Sequence, residues 1–116
     1  MKLSISIQET GDKTRPTFIA FFNGEKIGFL ECLITNPSMD IVQIDVAEKF
    51  RRLQVGSRLI RFACENNPQV HEIFIEVAEN NEGAIKFYHS LGFTFIGERK
   101  HYYRNGKNAI NMVLKI

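Results

Sequence analysis

The sequence predicts a single α/β (α+β) domain, residues 1–116, in which a mixed sheet of about seven strands packs against two main helices. The first 46 residues are almost entirely β in pattern, and from residue 47 two helical segments alternate with strands. Hairpins make neighbouring strands antiparallel, whereas a strand, helix and strand in succession usually make the two strands parallel. The sheet is therefore expected to be mixed.

Four strands are predicted in the N-terminal part. Leu3, Ile5 and Ile7 alternate with polar residues, as in a half-buried strand. A polar turn follows at residues 9–16, and Asn23-Gly24 favours a hairpin because both residues tolerate positive φ. The predicted strands span residues 2–8, 17–22, 26–34 and 40–46.

The C-terminal part combines helices with strands. Val55, Leu59 and Phe62 recur at helical spacing, in a helix that ends at residues 66–68. Asn81 is expected to cap a second helix, which runs to about residue 90 and is followed by a left-handed Gly92. Further strands are predicted at residues 71–77, 93–103 and 109–115.

Composition narrows the function classes. The apolar fraction is 44% and the net charge is only +2, too small to favour a nucleic-acid partner. Cys32 and Cys64 lie in apolar surroundings and outside any metal-binding spacing, so we expect buried thiols and no metal. The sequence contains no apolar run of membrane-spanning length, and a cytoplasmic protein is expected. Its basic residues concentrate in one stretch: Lys49, Arg51, Arg52, Arg58 and Arg61.

That basic stretch joins a predicted strand to a predicted helix. The first amides of a helix lack backbone partners and carry partial positive charge, which suits a phosphate. Gly56 leaves room for close approach to the backbone, and Ser57 adds a donor. A solvated basic helix start accounts for the same residue types, so these features alone leave both interpretations open.

Two motifs, at residues 51–56 and 81–93, resemble those of the GNAT superfamily of acyl-CoA-dependent N-acetyltransferases. Residues 51–56 are similar to its Arg/Gln-x-x-Gly-x-Gly/Ala loop, with Gln54 in place of the first glycine. Residues 81–93 match its Asn-x-x-Ala-x-x-x-Tyr-x-x-x-Gly-Phe segment in register. The resemblance covers residues 41–116 and is strongest toward RimI-type N-terminal acetyltransferases of ribosomal protein, through Ile75-Glu76-Val77 and Tyr102-Tyr103.

The resemblance implies transfer of an acetyl group from acetyl-CoA to a primary amine, without a metal. Glu76 would be the general base and Tyr88 the general acid, with Asp45 as a rival base. A solvent-facing strand position remains the alternative interpretation of Glu76. The residues expected at the cofactor are Ile44, Val46, Arg51, Arg52, Gln54, Val55, Gly56, Ser57, Asn81, Ala84, Phe87 and Tyr88.

The resemblance leaves the acceptor side open. Members of the superfamily usually carry two helices between their first and second strands, where this chain has only residues 9–16. We expect that side to be open, or completed by a second copy in a homodimer. A peptide N-terminus is the favoured acceptor, with lysine or a small amine as alternatives. A non-catalytic acyl-CoA-binding module is the main rival function, and a basic nucleic-acid binder is a weaker one.

Overall fold

The computed structural model describes residues 3–116. Its seven strands form one sheet in the order β1-β2-β3-β4-β5-β7-β6. The strands are β1 (Ser6–Gly11), β2 (Pro16–Phe22), β3 (Glu25–Thr35), β4 (Ser38–Val46), β5 (Glu72–Ala78), β6 (Thr94–Arg99) and β7 (Ala109–Lys115). The helices are α1 (Val55–Glu65) and α2 (Glu82–Ser90), with a short 3-10 helix at Glu48–Phe50. The predicted mixed sheet with two main helices is confirmed.

β4 and β5 are the only parallel neighbours within residues 3–116, and they pair over a short distance. Ser38, Met39 and Asp40 lie opposite Glu72, Ile73 and Phe74. Beyond that register the two strands diverge, and the other pairs in the sheet are antiparallel. This splay leaves the backbone edge of the second half of β4 open to a ligand.

Two local backbone predictions are also confirmed. Asn23 and Gly24 have φ of 51° and 78°, the conformation that a tight hairpin between β2 and β3 requires. Gly92, with φ of 102°, follows the end of α2 in the left-handed region.

The hydrophobic core lies between one face of the sheet and the two helices. Leu59 of α1 and Ile73 of β5 are fully buried there, and Tyr88 of α2 belongs to the same cluster. The opposite face keeps its apolar side chains half-buried: Ile19, Phe21, Phe29 and Leu33. No helix of the described chain, residues 3–116, covers that face, as the absence of the helical insertion predicted.

The predicted bounds of two strands are wrong. β1 spans Ser6–Gly11 rather than residues 2–8, of which Lys2 lies outside the described chain. Thr10 pairs with Thr17 and Gly11 with Pro16, so backbone pairing extends the strand through residues whose side chains suggested a turn. β6 ends at Arg99 rather than residue 103, because His101 takes a left-handed φ of 52° and its amide donates to Asn108 Oδ1 at 2.9 Å.

Candidate active site

The end of β4 presents polar backbone groups to the gap between β4 and β5. Ala47 N donates to Ile27 O of β3 at 2.8 Å. Because successive peptide groups of a strand point in opposite directions, the N–H and C=O of Val46 face away from β3 and toward the gap. The Val46 carbonyl accepts a hydrogen bond from Arg51 Nε at 2.9 Å on that side. The Val46 amide is thus placed to donate to a molecule lying in the gap.

α1 begins beside this gap with free amides. The first hydrogen bond of its ladder runs from Arg58 N to Gln54 O at 3.0 Å. The amides of Val55, Gly56 and Ser57 precede it, so within the described helix they have no intrahelical partner. They form a compact set of donors at the positive end of the helix dipole, which suits a diphosphate.

Gln54 precedes these amides with a left-handed backbone. Its φ and ψ are 64° and 21°, its side chain makes no capping hydrogen bond to α1, and it is exposed. The loop motif has glycine at this position, and the left-handed backbone gives the physical reason for that glycine. Gln54 adopts this conformation at a cost of about 1–2 kcal/mol. If Gln54 weakens phosphate binding, it does so because its side chain crowds the phosphate.

The arginines of the basic stretch do not all face the start of α1. Arg51 bonds the Val46 carbonyl and lies 3.4 Å from Asp45 Oδ1. Arg58 Nη1 donates to the carbonyl of Leu3, which ties the N-terminal segment to α1. Arg52 is exposed, with a left-handed φ of 63°. The cationic cluster is therefore smaller than the sequence suggested, because the Arg58 side chain stabilises the fold instead.

Phe87 and Ile44, both expected at the cofactor, lie beside Gly56 where α1 meets α2. A Cβ on Gly56 would lie 3.0 Å from Phe87 Cζ and 3.7 Å from Ile44 Cδ1. Glycine at this position therefore also allows α2 to pack closely against α1, a role that the sequence did not indicate. Ser57 Oγ donates to Gln54 O at 3.0 Å, so its hydroxyl supports the start of the helix.

α2 carries the second motif. Asn81 caps the helix, its Oδ1 accepting from Ala84 N at 3.2 Å, so the predicted cap is confirmed. Tyr88 is only 3% exposed and makes edge-to-face contacts with Phe87 and Phe93. Burial raises the pKa of the Tyr88 phenol to about 12. The phenol therefore keeps its proton at neutral pH, as a general acid requires.

Glu76 lies on β5 with its side chain on the face opposite the helices. Its neighbours Ile75 and Val77 are buried in the core, whereas Glu76 is 25% exposed and lines a cavity of about 240 Å³. Glu76 is therefore partly enclosed rather than fully exposed, on the polar face of its strand. The cavity is lined by Asp40, Ile41, Phe74, Ile75, Glu76, Arg99 and Asn111.

The contact between Glu76 and Arg99 is an ion pair without a hydrogen bond. Arg99 Nε lies 3.0 Å from Glu76 Oε2, but the N–H is not directed at that oxygen. Oε2 is buried and accepts no hydrogen bond from the residues that the structure describes. The Arg99 guanidinium therefore interacts with Glu76 Oε2 only electrostatically, and this oxygen is a free acceptor.

Sequence reasoning missed three residues of this cavity: Asp40, Arg99 and Asn111. Burial raises the pKa of the Asp40 carboxyl, and burial together with the Glu76 charge raises the pKa of Tyr103 nearby. Asn111 lies opposite Glu76 in the β5–β7 register. That register could not be derived from the sequence. The rival base Asp45 has a side chain 62% exposed beside Arg51, outside the cavity lining.

Within residues 3–116, His, Cys, Asp and Glu side chains form no group of three or more that could hold a metal ion. Neither described helix combines the length and apolar character needed to cross a membrane.

Known proteins are similar to this chain in sequence and in fold. An N-alpha-acetyltransferase of Sulfurisphaera tokodaii is 31% identical over 110 residues, covering 82% of this chain and 66% of that protein. The Escherichia coli ribosomal-protein-S18-alanine N-acetyltransferase superposes with a TM-score of 0.81 at 26% identity, covering 91% of this chain and 72% of that structure. A Bacillus anthracis protein crystallised with acetyl coenzyme A gives a TM-score of 0.83 at 29% identity, covering 91% and 65%.

The sequence matches cover most of this chain but a smaller part of each relative. The chain spans only 54–66% of the lengths of the related sequences that it matches. A family description, "Acetyltransferase (GNAT) family", matches residues 3–93, well over half of the chain. With its seven-stranded splayed sheet, the two motifs and this match, the chain belongs to the acetyltransferase (GNAT) family.

Proposed function

We propose that the chain is an acetyl-CoA-dependent N-acetyltransferase that acts on a primary amine, preferably a protein N-terminus, in the cytoplasm. The splay between β4 and β5 carries this proposal. α1, with its free amides, and the Tyr88 side chain pack on the core face of the sheet, and the Glu76 carboxylate lies on the opposite face. A thioester in the gap would have a proton donor on one side and a base on the other.

The residues present suit coenzyme A. The amides of α1, with Arg52 and the loop around Gln54, match the needs of a diphosphate. The exposed backbone edge at Ile44 and Val46 offers strand-like hydrogen bonds to an extended amide-containing arm. The remaining residues are assigned to the cofactor by the resemblance to the family. On α2 and at its cap they are Asn81, Ala84, Phe87 and Tyr88, and beside the gap they are Arg51, Val55, Gly56 and Ser57.

The proposed chemistry is a direct transfer. Acetyl-CoA, when bound, supplies an activated acetyl group on a thiol that can leave. Glu76 accepts a proton from the ammonium of the acceptor, directly or through water, so that its nitrogen can bond to the acyl carbon. The Val46 N–H donates to the acyl oxygen as negative charge develops there. Tyr88 would give its proton to the sulfur as the carbon–sulfur bond breaks, and its phenolate would take the second proton that the acceptor nitrogen loses as the amide forms.

An α-amine fits this arrangement better than a lysine side chain. With a pKa of about 8, roughly a tenth of α-amines are neutral at pH 7, against less than about 0.1% of lysines. A single carboxylate can therefore complete the deprotonation of an α-amine more readily. The names of the relatives, N-alpha-acetyltransferase and ribosomal-protein-S18-alanine N-acetyltransferase, support the same class of acceptor.

The half-buried apolar face supports a protein partner on the acceptor side. Ile19, Phe21, Phe29 and Leu33 lie there without a covering helix among the described residues. A second copy of the chain is the proposed cover, as a homodimer. Sedimentation equilibrium tests it: a monomer at all concentrations would exclude this dimer.

A non-catalytic acyl-CoA-binding module is the alternative function. Gln54 at the glycine position and the ion pair on Glu76 favour it. The deciding experiment mixes the protein with acetyl-CoA and peptides that have free or blocked N-termini, and measures both thiol release and peptide mass. We expect acetylation of free N-termini by wild type and a loss of about 10²–10⁴-fold in Glu76→Gln. Acetyl-CoA binding without transfer to any amine would favour the module.

A further inference from the structure

We propose that Arg99 occupies the place of the acceptor's ammonium group in the empty site, and that the acceptor must displace Arg99 from Glu76 in order to bind. The inference rests on the proposed function. It makes Arg99 a residue that sets the affinity for the acceptor rather than a catalytic residue.

The contact geometry shows an exchangeable cation. Arg99 Nε lies 3.0 Å from Glu76 Oε2 without hydrogen-bond alignment, and the Arg99 side chain is 63% exposed against 25% for Glu76. A carboxylate oxygen that is buried and accepts no hydrogen bond is strongly favoured to take a better-directed donor. An ammonium group, with three rotatable N–H donors, can meet that oxygen in the direction that Arg99 leaves unused.

The charges around the cavity favour a cationic ligand even with Arg99 in place. Asp40 and Glu76 contribute two carboxyl groups and Arg99 one guanidinium, while Asn111 adds an uncharged amide and the Tyr103 phenol lies nearby. Once Arg99 moves out, both carboxyl groups face the ligand. The cavity of about 240 Å³ has space for an amine and its first carbons beside Phe74.

The structure also provides a place for the displaced guanidinium. Arg99 Cζ lies 5.1 Å from the centre of the Tyr102 ring, and Tyr102 is half-exposed in the loop that follows β6. A cation over an aromatic face is stabilised there without the carboxylate. Arg99 can therefore leave Glu76 while keeping its contact with Tyr102.

Isothermal titration calorimetry tests the displacement directly. The probe is a peptide with a free N-terminal alanine, titrated into protein saturated with coenzyme A, which has no acetyl group to transfer. Arg99→Met keeps the apolar stem and removes the charge, and Arg104→Met removes the same charge from the exposed loop after β6. Arg99→Gln is the second variant if Arg99→Met does not fold.

We expect Arg99→Met to bind the peptide about two- to fivefold more tightly than wild type, as removal of a weak competing ion pair predicts. Arg104→Met and a peptide with a blocked N-terminus should show no such gain. Equal or weaker binding by Arg99→Met would overturn the inference, even if the wild type transfers acetyl groups. Tighter binding by a protein that transfers nothing would uphold it and remove the proposed activity instead.

Discussion

Glu76 and Tyr88 lie on opposite faces of the sheet. Glu76 lines the cavity on the face without helices, whereas Tyr88 of α2 is buried in the core. The two strands that separate from each other after Asp40 and Phe74 leave the gap between them. In this arrangement the base can act on the acceptor nitrogen and the acid on the leaving sulfur without neutralising each other.

Tyr88→Phe separates the chemical step from cofactor binding. The phenyl ring keeps the edge-to-face contacts with Phe87 and Phe93, while the proton donor is lost. We expect acetyl-CoA affinity within about twofold of wild type and transfer slowed by about 10²–10⁴-fold. Calorimetry and single-turnover kinetics measure the two effects. Wild-type rates in the variant would remove Tyr88 as the acid.

The same variant should change the pH dependence of stability. Burial raises the pKa of Tyr88 from 10.0 to about 12, so the folded state holds this proton more tightly than the unfolded state. The stabilisation is complete below pH 10 and is lost between pH 10 and 12, by up to about 2–3 kcal/mol. Over this pH window, the free energy of unfolding measured with urea should fall more steeply for wild type than for Tyr88→Phe. If the free energies of unfolding of the two proteins change in parallel with pH, the raised pKa of Tyr88 is contradicted.

Gln54 tests what the loop before α1 contributes. Gln54→Gly relieves the left-handed backbone and removes the side chain, and Gln54→Ala removes the side chain alone. If the side chain crowds the diphosphate, both variants should bind coenzyme A more tightly. Gln54→Gly should also be more stable by up to about 1 kcal/mol, since relief of strain exceeds the entropy cost of glycine. Weaker binding in both would show that Gln54 contacts the ligand.

The two thiols should differ in reactivity. Cys32 is fully buried and burial raises its pKa to about 12, whereas Cys64 is half-buried with a smaller upward shift of its pKa. At pH 8 a thiol reagent should leave Cys32 unmodified in the native protein and modify Cys64 slowly. Peptide mapping before and after unfolding assigns each site. Rapid modification of native Cys32 would contradict its place in the core.

The elements with strong local signals could be predicted from the sequence. The hairpin at Asn23-Gly24, the cap at Asn81 and the left-handed Gly92 follow from single-residue chemistry, and all three are present. The strand end at residues 9–11 could not be predicted, because pairing with β2 outweighs the polar side chains of that segment.

The cavity and the arginine contacts depend on long-range register and side-chain direction. Arg58 reaches a carbonyl 55 positions away, and Arg99 meets Glu76 only because β6 and β5 both pair with β7. Periodicity within one element contains no information about such contacts. The family motifs located Glu76 and Tyr88, but not the ion pair that covers one of them.

A crystal structure with acetyl-CoA bound tests the central claim most directly. The account predicts the diphosphate on the amides of residues 55–57 and the thioester between the ends of β4 and β5, with its carbonyl oxygen near Val46 N. Density for the bound molecule at another surface, with the gap between the two strands closed, would contradict it.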